Sequence, residues 1–197
     1  MSSRSERDRW NQKYHESPGS WLEPDPFLER AYSKYIRPQF HNAGHALDLA
    51  GGAGRNAIWL AKQGWEVTLT DIAEAGVELA RQKAGPLASR IHFVIDDLTE
   101  FSASQTQFDL VMVFFYLDRN IFPKLIKSIR TGGLLIYKTL TEAQFKLPGG
   151  PKDPANLLKE GELPRLASGL EVLHYREQIA EKATAELVAR KNASPQP

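Results

Sequence analysis

The sequence has no cysteine among its 197 residues. That excludes disulfide scaffolds, thiolate chemistry and Cys-ligated zinc or iron–sulfur sites. An excess of either charge is missing too. Lys and Arg total 25 against 24 Asp and Glu, a net +1 with histidines neutral. A domain built to coat nucleic acid or an anionic membrane would be lopsided. Long apolar runs are absent: the longest, residues 110–117, falls far short of the ~20 residues that span a bilayer. The first ten residues are polar and contain no signal-peptide core. The expectation is a cytoplasmic protein with no membrane partner. Also missing are a Gly-x-x-x-x-Gly-Lys-Ser/Thr phosphate loop, a serine nucleophile elbow, paired glutamates of glycosidase type and a Tyr-x-x-x-Lys pair. No histidine pair has convincing metal-ligand spacing, since residues 42–44 between His41 and His45 read as a loop. No metal site is expected.

Hydrophobic residues make up 42% of the chain, enough for a core without staples. One domain over residues 1–197 follows. Residues 1–40 form a flank or lid, and residues 192–197 a frayed tail. The flank is rich in aromatics, and residues 27–36 have helical spacing that Pro38 ends. Beyond it, strands and helices alternate. Strands are read at 46–49, 66–71, 91–95, 109–115 and 134–137, with Gly132-Gly133 as the turn into the last. Helices are read at 55–63, 74–83 and 120–129. This alternation argues an α/β sandwich with a parallel sheet. The last third opens on a loop rich in proline and glycine at 146–154. A short helix is read at 156–166 and a strand at 170–175. Residues 183–189 suit a strand or a helix; their position after a strand and a short polar stretch favours a hairpin.

The informative segment is Asp48-Leu-Ala-Gly-Gly-Ala-Gly-Arg-Asn56. A strand enters glycines at 51, 52 and 54, and a helix follows. Glycine lets the backbone approach a ligand closely, and a helix start offers free N–H groups. The next strand ends in Asp71, where one carboxylate can accept both hydroxyl protons of a ribose. A nucleoside-containing cofactor is the first reading. The segment also fits the dinucleotide pattern formally, but Asp48 stands where a pyrophosphate would approach, and like charges repel. S-adenosylmethionine carries no phosphate, an ammonium and a positive sulfonium, and so suits an acidic loop entrance.

Asp48-x-Ala50-x-Gly52-x-Gly54, followed by Arg55-Asn56, resembles the first motif of the class I S-adenosylmethionine-dependent methyltransferases. The resemblance extends to their small tellurite-resistance-like (TehB-like) group and covers about residues 8–190. It implies a Rossmann-like seven-stranded sandwich, mostly parallel, closed by an antiparallel hairpin. Ala50 replaces the first glycine of the commonest form, on the expectation that its φ and ψ are ordinary. Asp71 matches the residue that holds the ribose, with Ile72 beside it. Asp96-Asp97-Leu98 resembles the motif after strand three, with Asp97 toward the adenine amino group and Leu98 lining the base. Phe115-Tyr116-Leu117 and Arg119 look like the segment bordering cofactor and substrate. Arg9-Trp10-Asn11 with Tyr14 resembles the segment covering the methionine end.

The resemblance implies methyl transfer from S-adenosylmethionine, with S-adenosylhomocysteine as product, by direct in-line displacement onto a small molecule. The acceptor is a thiol, a chalcogen oxyanion, or an N or O nucleophile. An oxygen acceptor needing help with its proton would look to His41 or Tyr116. The acceptor's entry is expected between the flank and the loop at 146–154. Three other readings stay open: a non-catalytic binder of the same cofactor, an NAD-linked reductase, and a nucleic-acid methyltransferase, the last disfavoured because basic and acidic residues alternate. Sequence leaves the oligomeric state open.

Overall fold

The computed structural model describes residues 3–17, 23–98, 107–151 and 153–193. The chain forms two compact units, Met1–Ser102 and Ala103–Pro197.

The first unit opens with α1 (Ser3–Glu16) and α2 (Pro26–Ala31). A π turn over Tyr32–Ile36 continues α2 into α3 (Arg37–Gln39). Then come β1 (His45–Leu49), α4 (Arg55–Lys62), β2 (Glu66–Asp71), α5 (Glu74–Ala84), a 3-10 turn over Gly85–Arg90 and β3 (Ile91–Ile95). β2 pairs in parallel with β1 on one side and β3 on the other. β1 is short and apolar, and its Ala46, Leu47 and Leu49 are buried, as a strand covered on both faces must be. α4 buries Ala57, Leu60 and Ala61 at helical spacing. Phe27, Leu28, Ala31 and Ile36 of the flank are buried as well, and Tyr32 meets Trp59 edge-on at 5.2 Å.

Pro38 does not end the flank helix at the residue before it, as the sequence suggested. The Arg37 N–H donates to the Tyr32 carbonyl, five residues back, and the helix runs to Gln39. The wider turn has already shifted the hydrogen-bond register, so the proline ring escapes the usual clash one turn earlier.

The second unit holds β4 (Phe108–Phe114), a 3-10 turn over Arg119–Ile121, α6 (Phe122–Ser128), β5 (Ile129–Leu140), 3-10 turns over Glu142–Lys146 and Pro154–Asn156, α7 (Glu162–Leu166), β6 (Glu171–Ile179) and β7 (Ala183–Arg190). Gly132-Gly133 lies inside β5 rather than turning into it. Phe108 aligns with Ile129 but Leu110 with Leu134, so the glycines form an irregularity in the strand. A Cβ at Gly133 would fall 2.7 Å from Ile129 Cγ2 and 2.9 Å from the Asp109 carbonyl, which explains the glycine. The helix expected at 156–166 is confined to α7. Leu158 instead bridges Thr141, with its N–H on the Leu140 carbonyl at 3.0 Å. β7 pairs antiparallel with β5 on one side and β6 on the other. The hairpin reading of the last third therefore holds.

The strands form one seven-stranded sheet in the order β3-β2-β1-β4-β5-β7-β6. It is mostly parallel and closes on an antiparallel hairpin, which is the Rossmann-like methyltransferase arrangement. Among the described residues no helix is long and apolar enough to cross a membrane, and no group of His, Asp and Glu is placed to hold a metal ion.

Candidate active site

Ligands of parallel α/β sheets bind at the carboxyl ends of strands. At that end of β1 the chain makes the glycine turn. The Gly51 N–H donates to the Thr70 carbonyl at 3.2 Å, and the Gly52 N–H to Asp71 Oδ2 at 2.8 Å. Asp71 Oδ1 accepts from the Ala73 N–H at 2.8 Å. Asp71 thus ties the glycine turn to the start of α5, and with the Ile72 N–H also donating to it the carboxylate keeps lone-pair capacity for one further donor. Burial raises its pKa against these N–H donors. Ile72 lies in the same turn and is half-buried.

Asp48 sits under the turn, 1% exposed, and its Oδ2 has no hydrogen-bond partner. Burial pushes its pKa up to about 7; the Ala57 N–H and then the Arg55 charge oppose the rise. A buried carboxylate oxygen without a donor is costly unless it is protonated or something supplies one. An ammonium is such a donor. Gly52 and Gly54 have φ of +53° and +77°, which glycine adopts readily. Ala50 corrects the expectation: its φ is +58°, not ordinary. A left-handed L-residue costs roughly 1–2 kcal/mol, so the turn holds strain beside the two carboxylates.

Arg55 and Asn56, expected at the cofactor, both engage Asp25. The Arg55 guanidinium lies 3.5 Å from Asp25 Oδ2, and Asn56 Oδ1 accepts the Asp25 N–H at 2.9 Å. Asp25 in turn caps α2 through the Phe27 N–H. Tyr14 meets the turn directly: a Cβ on Gly52 would collide with its hydroxyl. Burial, then the Asp71 charge, holds its phenol well above the ordinary range. Trp10 stacks on Tyr14 at 6.0 Å and carries the Lys13 ammonium 4.4 Å from its ring. After β3, Leu98 is buried, and the Asp97 N–H donates to Asp96 Oδ1 at 2.8 Å.

In the second unit, Phe115 follows β4 with φ of +58°, an outlier for a bulky residue. Its N–H donates to the Lys138 carbonyl at 2.7 Å, and the Lys138 and Lys182 ammonium groups lie 5.7 and 4.8 Å from its ring. The Tyr116 carbonyl accepts from the buried Tyr137 hydroxyl at 2.8 Å. Lys138 pairs with the buried Glu186 at 3.3 Å.

A family described as "Methyltransferase domain" matches residues 46–133. The chain is 27% identical to a "Ubiquinone biosynthesis O-methyltransferase" of Coxiella burnetii over 190 residues, covering 85% of this chain and 78% of that one. The chain carries a methyltransferase domain with the class I S-adenosylmethionine-dependent fold. Solved structures share its fold. The magnesium protoporphyrin IX methyltransferase ChlM of Synechocystis, solved with S-adenosylhomocysteine bound, has a TM-score of 0.76 at 16% identity, covering 96% of this chain and 99% of its own. TehB of Haemophilus influenzae has a TM-score of 0.71 at 19% identity, covering 94% and 67%. TehB does not stand apart from the other neighbours, so the tellurite-resistance-like subgroup is not distinguished within the class.

The cofactor of this methyltransferase fits its first unit on two counts: the donorless Asp48 oxygen and the spare capacity of Asp71. Two sequence expectations fare differently. His41 is exposed and lies four residues before β1, at the amino edge of the sheet. The five residues of β1, at ~3.3 Å each, separate it from the glycine turn. It is not placed to serve as a base there. Arg119 has its guanidinium occupied within the second unit: Glu162 accepts from it at 2.6 and 2.9 Å, and the Ala155 and Leu157 carbonyls at 2.8 and 2.9 Å. Arg119→Ala is therefore expected to destabilise the methyltransferase by about 2 kcal/mol, since hydrogen bonds to charged groups are lost. Chemical denaturation measures it. An unchanged midpoint with lost turnover would restore Arg119 to the reaction. Sequence reasoning missed the Lys138–Glu186 pair. The signal available was Glu186, an acidic residue flanked by the apolar Ala185 and Leu187 inside a buried strand.

Proposed function

We propose that this methyltransferase moves a methyl group from S-adenosylmethionine to a small molecule, an oxygen nucleophile first among the candidates. The observation that carries the cofactor half is Asp48, a buried carboxylate with one oxygen lacking a donor beneath a glycine turn. Asp48 would hold the cofactor's ammonium and Asp71 its ribose hydroxyls, with Ile72, Asp97 and Leu98 toward the base. The cofactor supplies a methyl group on a sulfonium, already a good leaving group. The chain's own task is to orient the reactants and exclude water. Trp10 and Tyr14 provide apolar cover at the turn. Tyr116 remains the candidate nearest the acceptor's proton in the second unit, beside the lysines that flank Phe115. The Lys182 ammonium near that ring favours an acidic hydroxyl, Lys138 being paired with Glu186. The relative matched over 85% of this chain is named an O-methyltransferase, which supports oxygen over sulfur or tellurium.

Incubation with methyl-labelled S-adenosylmethionine and a panel of phenols, thiols and tellurite tests this reading. Label on a phenol supports it. Label on thiols alone moves the acceptor to sulfur. Tight binding of S-adenosylhomocysteine with no transfer to any acceptor favours a non-catalytic binder, and micromolar NAD binding without S-adenosylhomocysteine binding defeats the cofactor assignment.

A further inference from the structure

Every described side chain from Arg4 to Glu16 is exposed or half-buried. A 14-residue helix of such polarity is marginal in water without a partner. Its grip comes from one face. Asn11 Oδ1 accepts the Ala75 N–H at 2.9 Å. Ala75 belongs to the first turn of α5, whose own N-cap, Ala73, makes no side-chain hydrogen bond. The N–H groups of a helix start lack partners inside the helix, and Asn11 supplies one from 64 residues away.

One turn along α1, Tyr14 lies against two glycines. A Cβ at Gly76 would come 2.7 Å from Tyr14 Cε2, and one at Gly52 would meet the hydroxyl. Gly76 stands inside α5, where glycine weakens a helix, and its φ is not in the left-handed region. Its backbone does not demand glycine. The Tyr14 ring does.

We propose that Asn11 and Gly76 are positioning residues of the methyltransferase. Asn11 caps α5 from α1, and Gly76 leaves room for the Tyr14 ring. Together they station Tyr14 on the glycine turn, so that cofactor affinity depends on α1 being docked. The inference rests on the reading of the Asp48 and Asp71 turn as the cofactor site.

Full-length Asn11→Ala, Asn11→Asp and Gly76→Ala variants test it by calorimetry with S-adenosylhomocysteine, thermal melting, and trypsin cleavage at Arg7 and Arg9 without ligand. Asn11→Ala weakens binding about fivefold, the equivalent of one capping bond. Asn11→Asp restores it, because a carboxylate also caps a helix start and suits its dipole. Gly76→Ala weakens binding about tenfold, on the order of an overpacking cost, yet melts no lower than the parent, because alanine favours the helix. For both alanine variants the KM for S-adenosylmethionine rises with kcat unchanged, and trypsin cuts α1 faster. Parent-like affinity in either alanine variant, or parent-like cleavage, overturns the inference. A parent chain that binds no S-adenosylhomocysteine defeats the cofactor reading instead, while the cleavage rates still decide whether Asn11 and Gly76 dock α1.

Discussion

Asp71→Ala is expected to weaken binding of S-adenosylmethionine and S-adenosylhomocysteine by about 1.5–3 kcal/mol, the range for hydrogen bonds to a charged group. It should lower the melting temperature as well. A carboxylate at the end of a strand looks dispensable to the fold, but this one accepts N–H groups from Gly52 and Ala73 at 2.8 Å each. Removing it frees the glycine turn and the start of α5 together. Asp71→Asn should fall between, since its amide retains one acceptor and faces the second N–H with a donor. Calorimetry with S-adenosylhomocysteine and thermal melting separate the two effects. Equal affinity in parent and Asp71→Ala would show that the ribose is held elsewhere. Equal melting with lost affinity would show that the turn holds without its tie.

Asp48 is expected to cost the apo protein stability as pH rises from about 4 to about 7. In the unfolded chain Asp48 titrates near the ordinary aspartate value of ~3.9. In the folded chain its pKa is about 7, because burial disfavours the charge. Between those values the folded state keeps a proton that the unfolded state has released. The contribution of Asp48 is full below pH ~4, shrinks as pH rises, and is lost above about 7. Asp71, also raised by burial, adds a slope of the same sign. Cofactor affinity should run the other way. An ammonium needs the charged carboxylate, so affinity climbs through pH 7 and binding releases a proton. Asp48→Asn removes this group's share of the stability slope and the pH dependence of affinity, and weakens binding throughout. Denaturation across pH 4–8, with calorimetry in buffers of different ionisation heat, measures both. A parent chain whose cofactor affinity is flat from pH 6 to 8 would show that Asp48 does not meet the ammonium.

The elements that could be read in advance are those with local causes. β2 and β3 have the bounds their apolar pattern predicts, and the glycine turn stands where glycines follow a strand. β7 was legible once its place after a polar stretch was weighed, even though its alanines favour helix. What could not be read depends on residues far apart in sequence. Nothing near Arg119 announces Glu162, and nothing near Ala73 announces Asn11 as the missing cap. The left-handed Ala50 is a different case, since alanine normally argues against that conformation and only the packed turn imposes it. The amino-edge position of His41 was legible all along, because it precedes the strand that leads to the glycines.

β7 is the last strand among the described residues, yet it lies between β5 and β6, with seven of its eight residues buried. β5 carries four fully buried apolar side chains, Leu134 to Tyr137, and gains its partner on that side only from residues 183–190. During synthesis the chain emerges at ~5–20 residues per second. For that interval the edge of β5 is a row of open hydrogen-bonding groups flanked by apolar side chains, the kind of surface that recruits a neighbouring chain. The hazard ends only when β7 has cleared the ribosome tunnel and slipped between its two partners. A stalled or prematurely terminated chain ending before residue 183 would therefore be a seed for aggregation rather than a smaller soluble protein.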